Sequence, residues 1–249
     1  MANPGTSGPL SAGERRATAR TIAVWDALES LLAGPSRDVL DIGGGTGVSA
    51  VRIAELGHRV LVVDPSPDAL AALGLRAEES GVADRVTSRQ GYLSELPDLV
   101  GADGADLVLC HGVLEHVEDP AAALATMAGV LRPGGVLSLL VAQRHAAVVT
   151  KALAGHFSQA RALLDDPEAG VGTHGGRRFT AEEIRRQVED SGLRVTDVHA
   201  VQVFADLVPG SVLDQEPGAA QALVELEQAV AHRPDYLSLA SQVHVLARR

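Results

Sequence analysis

A glycine run set directly after a short apolar segment constrains this chain more than any other feature. Asp38 to Ile42 has the length and composition of a buried strand, and it passes at once into Gly43-Gly44-Gly45-Thr46-Gly47. A helical pattern follows from Val48 to Leu56, with Gly57 placed at its C-terminal cap. Glycine turns the backbone through conformations closed to other residues and lets its amides approach a neighbour without Cβ interference. Arg59 to Val63 is a second buried strand, closed by Asp64. Ser66-Pro67-Asp68 then opens a helix, with serine as cap, proline at the first helical position and an acid in the first turn.

The alternation continues. That helix runs to Ser80-Gly81, and Val86 to Gln90 and Asp106 to Cys110 read as strands. Asp119-Pro120 starts a helix carrying Leu124, Met127 and Leu131, which Pro133-Gly134-Gly135 ends. Val136 to Val141 is apolar except for Ser138, as expected of a strand covered on both faces. Five such alternations predict an α/β fold with a doubly wound, mostly parallel sheet. An Ala- and Leu-rich helix from Glu14 to Leu32, with Ile22, Trp25 and Leu28 at helical spacing, precedes them and stops at Gly34-Pro35.

The second half differs. Gln143 to Gly176 is helical and irregular in pattern, and Thr180-Ala-Glu-Glu183 is a capping box for a helix ending at Ser191-Gly192. Val195 to Phe204 and Ser241 to Ala247 read as strands, with an inserted helix over Gly218 to His232. The expected organisation is a disordered tail over 1–13 and a single domain over 14–249. Segments 143–176 and 205–235 are expected as substrate-side insertions, a helical lid on the C-terminal half.

Composition narrows the function. Hydrophobic residues make up 46 % of 249, enough for a sizeable core, although aromatics are only 2 % and Ala, Val and Leu must fill it. No stretch approaches the roughly 18 apolar residues that cross a bilayer. The N-terminus lacks a basic segment before an apolar run, so no signal peptide is expected and the cytoplasm is the default compartment. Cys110 is the only cysteine, which excludes an intramolecular disulfide and a Cys-based zinc site. The net charge of −11 is a poor match to the phosphate backbone of nucleic acid, although a local basic patch can act within an acidic whole.

In an open parallel sheet, ligands bind beyond the carboxyl ends of the strands. Asp64 stands there, where a carboxylate can accept from both hydroxyls of a ribose, and the glycine loop lies beside it. Together they predict an adenosine site. A dinucleotide fingerprint, G-x-G-x-x-G/A, would place a small residue where this chain has Val48. The glycines are spaced G-x-G-x-G instead, at Gly43, Gly45 and Gly47, with Asp41 two residues before the first. This resembles motif one of the class I S-adenosylmethionine-dependent methyltransferases. Asp106-Leu-Val-Leu-Cys-His111-Gly-Val-Leu-Glu115 and Leu131-Arg-Pro-Gly-Gly-Val136 resemble the fourth- and fifth-strand segments of the same superfamily. The resemblance implies a Rossmann-like fold and S-adenosylmethionine as cofactor.

A closer likeness extends beyond those motifs. His145, Gly155-His156-Phe157, Val203-Phe204 with Asp206, Leu223-Val-Glu225-Leu-Glu227 and His244-Val-Leu-Ala-Arg248 resemble the bacterial tRNA 5-carboxymethoxyuridine methyltransferase family. That family converts a wobble-uridine carboxylate to a methyl ester. Carried onto this sequence, the likeness implies that Arg20 pairs with the methionine carboxylate of the cofactor and that Gly43 and Gly44 approach it. Asp64 would hold the ribose, Leu93 and Ser94 border the adenine, and His111 close the methionyl side. Asp41 would orient the loop and the cofactor's amino group. The chain also departs from the family: 168–178 holds only Arg177 and Arg178 as basic residues where a lysine-rich run is expected, and Gln202 stands where an arginine is expected. Gly91-Tyr92 replace the acid that many superfamily members place near the adenine amino group.

His111 and His145 are the candidate catalytic residues, because a hydroxyl or amine acceptor needs a base near the mouth whereas a carboxylate acceptor needs only positioning. His116 is expected to be structural, and Glu115 to hold its loop rather than react. Arg144 is weighed between an anionic substrate and the surface, and Arg177, Arg178, Arg185 and Arg186 between phosphate binding and a solvated face. Asp197, Glu225 and Glu227 read as surface charge. No histidine–carboxylate grouping has metal-ligand spacing, so no metal is expected. The acceptor is then a tRNA anticodon loop or a small carboxylate or hydroxyl compound. A protein that binds the cofactor without catalysis is the alternative from another class.

Overall fold

The computed structural model describes residues 12–166, 169, 176–215 and 218–249, with side chains from residue 21 onward except at 210, 214 and 215. Its elements follow in the order α1 (Ala12–Leu32), β1 (Asp38–Ile42), α2 (Val48–Glu55), β2 (Arg59–Asp64), α3 (Pro67–Glu79), β3 (Val86–Gln90), α4 (Leu96–Val100), β4 (Ala105–His111), α5 (Pro120–Val130), β5 (Leu131–Ala142), α6 (Arg144–Leu153), α7 (Phe157–Asp165), α8 (Ala181–Asp190), β6 (Arg194–Val201), α9 (Gly210–Gln215), α10 (Ala219–Ala231) and β7 (Gln242–Arg248). Among the described residues the strands form one sheet of order β3-β2-β1-β4-β5-β7-β6. The first five run parallel, and β7 enters antiparallel between β5 and β6.

Both faces are covered, which explains the apolar strands. On β4, Val108 and Cys110 face a core closed by Leu124 and Met127 of α5 and Ile184 of α8. Leu107 and Leu109 face the opposite core, closed by Leu28 of α1, Ile53 of α2 and Leu73 of α3. Local chemistry fixes the helix starts. The Ser66 hydroxyl accepts from the Ala69 amide, the Asp119 carboxylate accepts from the Ala122 amide, and Thr180 and Glu183 exchange a reciprocal capping box. At the amino edge of the strands Arg132 bridges Asp38 and Asp106 at 2.9 and 2.8 Å, half-exposed pairs that fix register more than they stabilise.

Several boundaries move. Residues 1–11 of the expected tail lie outside the described residues, and 12 and 13 already belong to α1. Strand β5 begins at Leu131 rather than Val136, because Arg132 to Gly135 bulge out of register with β4 and then rejoin it. Strand β6 ends at Val201 rather than Phe204, because Gln202 adopts a left-handed conformation (φ 59°) that breaks the ladder. The 205–235 segment is in part structural, since α10 packs on α1 and β6 and buries Val230 and Ala231. No helix among the described residues is long and apolar enough to cross a membrane.

Candidate functional site

The site forms where β1, β2 and β4 end together. Gly43 and Gly47 both sit at positive φ, 68° and 76°. A Cβ on Gly43 would strike the Val113 side chain, and one on Gly47 would strike Leu73. The loop is therefore closed to other residues by conformation and by packing together. Asp64 anchors it from the next strand: Oδ2 accepts from the Gly45 amide and Oδ1 from the Ser66 amide, each at 2.9 Å. These bonds leave a second lone pair on each oxygen, so the carboxylate can still accept from hydroxyl groups of a ligand.

Asp41 is the unusual acid. It is 4 % exposed, and its Oδ2 is buried with no hydrogen-bond partner. Burial, reinforced by the nearby Asp64 charge, pushes its pKa up to about 7. A Cβ on Gly44 would press on the Asp41 carboxyl, so the glycine keeps that oxygen reachable from the loop. A buried carboxylate without a partner beside a glycine cradle fits a cationic ligand group, and the ammonium of an amino-acid moiety is one.

A cleft of about 600 Å³ opens beside the loop, bordered by Gly43, Leu93, Ser94, Val113 and Thr126, with His116 at its rim. Leu93 is buried and Ser94 exposed, in a short 3₁₀ turn whose Tyr92 amide donates to Glu95. The predominantly apolar walls suit a flat heterocycle. The structure thus brings Gly43, Leu93 and Ser94 to one cleft and ties Gly44, Gly45, Gly47, Asp41 and Asp64 to its neighbouring loop. His116, expected to be structural, reaches the cleft; nothing in a lone histidine within Glu115-His116-Val117 separates the two roles. Arg20 lies in α1, and its side chain is outside the described residues.

His111 ends β4 on the other side of the loop. Its Nε2 lies 2.9 Å from the Ser138 hydroxyl, and burial lowers its pKa to about 4. It is neutral at physiological pH and a weak base. His145 does not join it. The ring is exposed in the first turn of α6, while its neighbours Gln143, Ala146 and Ala147 turn into a separate cavity. The helix points His145 at solvent, so the structure does not bring the two candidate catalytic histidines together.

That second cavity, about 320 Å³, lies at the same strand edge beyond β5, β7 and β6. Lys151, Arg178, Gln202 and Asp206 line it. Of the basic cluster read in the sequence, only Arg178 faces it. Arg177 donates to the Val117 carbonyl, and Arg185 pairs with Glu189 one turn along α8. Arg144 is neither substrate-facing nor on the surface; it is buried in an ion pair with Glu183. Glu115 holds its loop, accepting from the Ala142 amide at 2.7 Å while its backbone carbonyl accepts from the Arg177 amide.

Glu227 overturns its reading as surface charge. It is 2 % exposed, and its two oxygens accept from the amides of Val203, Phe204 and Ala205 at 2.7–2.9 Å. That clasp fixes the chain just after Gln202 and so shapes one wall of the second cavity. Among the described residues no group of three or more histidine, cysteine, aspartate or glutamate side chains is arranged to hold a metal.

Comparison with known proteins gives the family. A family model described as "Methyltransferase domain" matches residues 14–198. The "tRNA 5-carboxymethoxyuridine methyltransferase" of Escherichia coli (strain K12) is 32 % identical over 244 residues, covering 95 % of this chain and 90 % of that protein. A "Ubiquinone biosynthesis O-methyltransferase" of Xanthomonas euvesicatoria is 34 % identical over 163 residues, 64 % of each chain. Among solved structures, an S-adenosylmethionine-dependent methyltransferase from Mesorhizobium loti superposes with a TM-score of 0.60 at 21 % identity, over 91 % of this chain and 98 % of that one.

Proposed function

The chain belongs to the class I S-adenosylmethionine-dependent methyltransferases, and from that premise we propose that its acceptor is the carboxylate of a modified wobble uridine in tRNA. The observation that carries this reading is the reach of the similarity: the tRNA enzyme matches across 95 % of this chain, including the second half. The cavity lined by Lys151 and Arg178 adds support, because two cations at the acceptor edge of an otherwise acidic protein suit a phosphate or a carboxylate.

When bound, S-adenosylmethionine supplies an electrophilic methyl group on a sulfonium. Asp41 would accept from its ammonium, Gly43 and Gly44 would give backbone approach, and Asp64 would accept from the ribose. Leu93 and Ser94 would border the adenine and His111 would close the methionyl side, while the methionine carboxylate is the contact that the family resemblance assigns to Arg20. The protein's task is alignment and exclusion of water, because displacement at a methyl carbon is in line. A carboxylate, ionised near neutral pH, needs no proton removed before it attacks. A phenolic hydroxyl does, and the two histidines expected for that work are poorly suited: burial lowers the His111 pKa to about 4, and His145 faces solvent. This contrast favours the carboxylate over an acceptor of the ubiquinone-pathway kind.

The test is a transfer assay with methyl-labelled cofactor and bulk tRNA, followed by mild alkali. Label that enters tRNA and is released by base is the expected result, since esters hydrolyse and ethers do not. Label that enters phenols but never tRNA would overturn the reading.

A further inference from the structure

A line of polar groups crosses the sheet where apolar packing would be expected, with Ser138, His244 and His199 buried and His111 half-buried. It starts at His111 on β4. The Ser138 hydroxyl on β5 lies 2.9 Å from His111 Nε2 and 2.8 Å from His244 Nε2 on β7. His244 Nδ1 lies 3.0 Å from His199 Nδ1 on β6. The His199 ring then meets the exposed His232 ring edge to face, with centroids 4.7 Å apart. Register places these groups on one sheet face: Leu109 pairs with Ser138, His111 with Leu140, Leu140 with His244, and His244 with His199. The same face carries Leu109, Val201 and Leu246 under α1.

Hydrogen-bond arithmetic leaves this line few states. Ser138 has one proton and two lone pairs, and among the described residues its hydroxyl meets no partner besides the two ring nitrogens, so with that proton used it donates to one histidine and accepts from the other. His244 is 0 % exposed, and burial together with its two histidine neighbours drives its pKa well down, so it is neutral with one N–H for two partners. Each member's direction therefore fixes the next. Either all protons point from His199 toward His111, or all point the other way. In the first state Ser138 donates to His111 Nε2, and the His111 proton must sit on Nδ1. In the second, His111 Nε2–H donates inward and Nδ1 is a bare lone pair. Among the described residues Nδ1 of His111 has no protein partner, so it is the nitrogen left for a ligand.

We propose that Ser138, His244 and His199 are positioning residues that lock His111 in its Nδ1–H tautomer, so that His111 presents a hydrogen-bond donor to the anionic acceptor. The proposal rests on the reading that His111 borders the methionyl and acceptor side of the site. A donor there orients a carboxylate for attack, whereas a bare nitrogen would repel it. The line also explains why three histidines are held in a core built from Ala, Val and Leu. A lone buried histidine would take whichever tautomer its surroundings happened to favour; a coupled row takes one or the other as a unit.

The test is tautomer-resolved ¹⁵N NMR of the full chain labelled at histidine, without cofactor or acceptor, with His111 assigned by the signals lost in His111→Gln. The wild-type protein should show a pyrrole-type Nδ1 and a pyridine-type Nε2 at His111. Ser138→Ala, which removes the link at little change in volume, should move the tautomer ratio by about tenfold, the size of one net buried hydrogen bond. His199→Phe, which removes the first donor at the far end, should move it in the same direction. A wild-type His111 protonated on Nε2 would overturn the proposal, as would an unchanged ratio in either folded variant. Because the readout contains no acceptor, a wrong acceptor assignment shows separately, as label absent from tRNA.

Discussion

Asp41→Asn is expected to stabilise the free protein above neutral pH while weakening its hold on the cofactor. The wild-type carboxyl titrates at about 7 in the folded chain against 3.8 when unperturbed, because it is buried beside Asp64. A folded pKa raised in this way contributes stability that is full below the unfolded value and lost as pH rises through the folded value. Between pH 5 and pH 8 the loss from this one group is about 2–3 kcal/mol, the integral of that shift at 1.36 kcal/mol per unit. Asparagine has the same shape and no charge to desolvate, so it escapes the loss. For a chain of this size that is about 5–10 °C in Tm. Thermal unfolding of both proteins at pH 5 and pH 8 should therefore give the variant the higher midpoint at both, with its lead wider by about 5–10 °C at the upper pH. Titration calorimetry at pH 8 should show the variant binding S-adenosylmethionine about 10- to 100-fold more weakly, the worth of a charge-assisted bond to the ammonium. A midpoint difference that does not change with pH would refute the argument, because the carboxylate would then carry no buried charge in the folded state.

Other expectations follow from single contacts. Gly47→Ala forces a Cβ into Leu73 at a φ of 76°, and should cost about 2–4 kcal/mol in urea unfolding and weaken cofactor binding as well. Glu227→Gln leaves three buried amides sharing one carbonyl oxygen and should lose about 2–3 kcal/mol, read as a lower urea midpoint at unchanged slope. Lys151→Ala and Arg178→Ala should raise the KM for tRNA and flatten its salt dependence while leaving cofactor affinity unchanged; parallel losses in both would place the cavity elsewhere in the cycle.

Much of the frame was legible because it is written locally. Ser66, Asp119 and the Thr180–Glu183 box cap the helices they were expected to cap, since each needs only residues within four positions. The glycine loop was equally readable, because left-handed turns and close packing admit few other residues. What escaped depends on strand order. Ser138, His199 and His244 lie far apart in the chain and become neighbours only because β7 inserts between β5 and β6. Glu227 looked like any acid on an amphipathic helix until the 203–205 amides arrived from another element. Arg144 failed for a similar reason, its partner Glu183 lying 39 residues on. Side chains whose roles are set across the sheet leave no periodic trace in the sequence.

The proposed acceptor, a carboxylate on tRNA, is tested most directly with deuteromethyl S-adenosylmethionine, the purified protein and tRNA from a host lacking this gene, followed by nucleoside mass spectrometry. The expected product is a deuterated methyl ester on a wobble uridine. Cofactor binding confirmed alongside tRNA that stays unlabelled would contradict that acceptor and direct the search to small carboxylic acids and phenols.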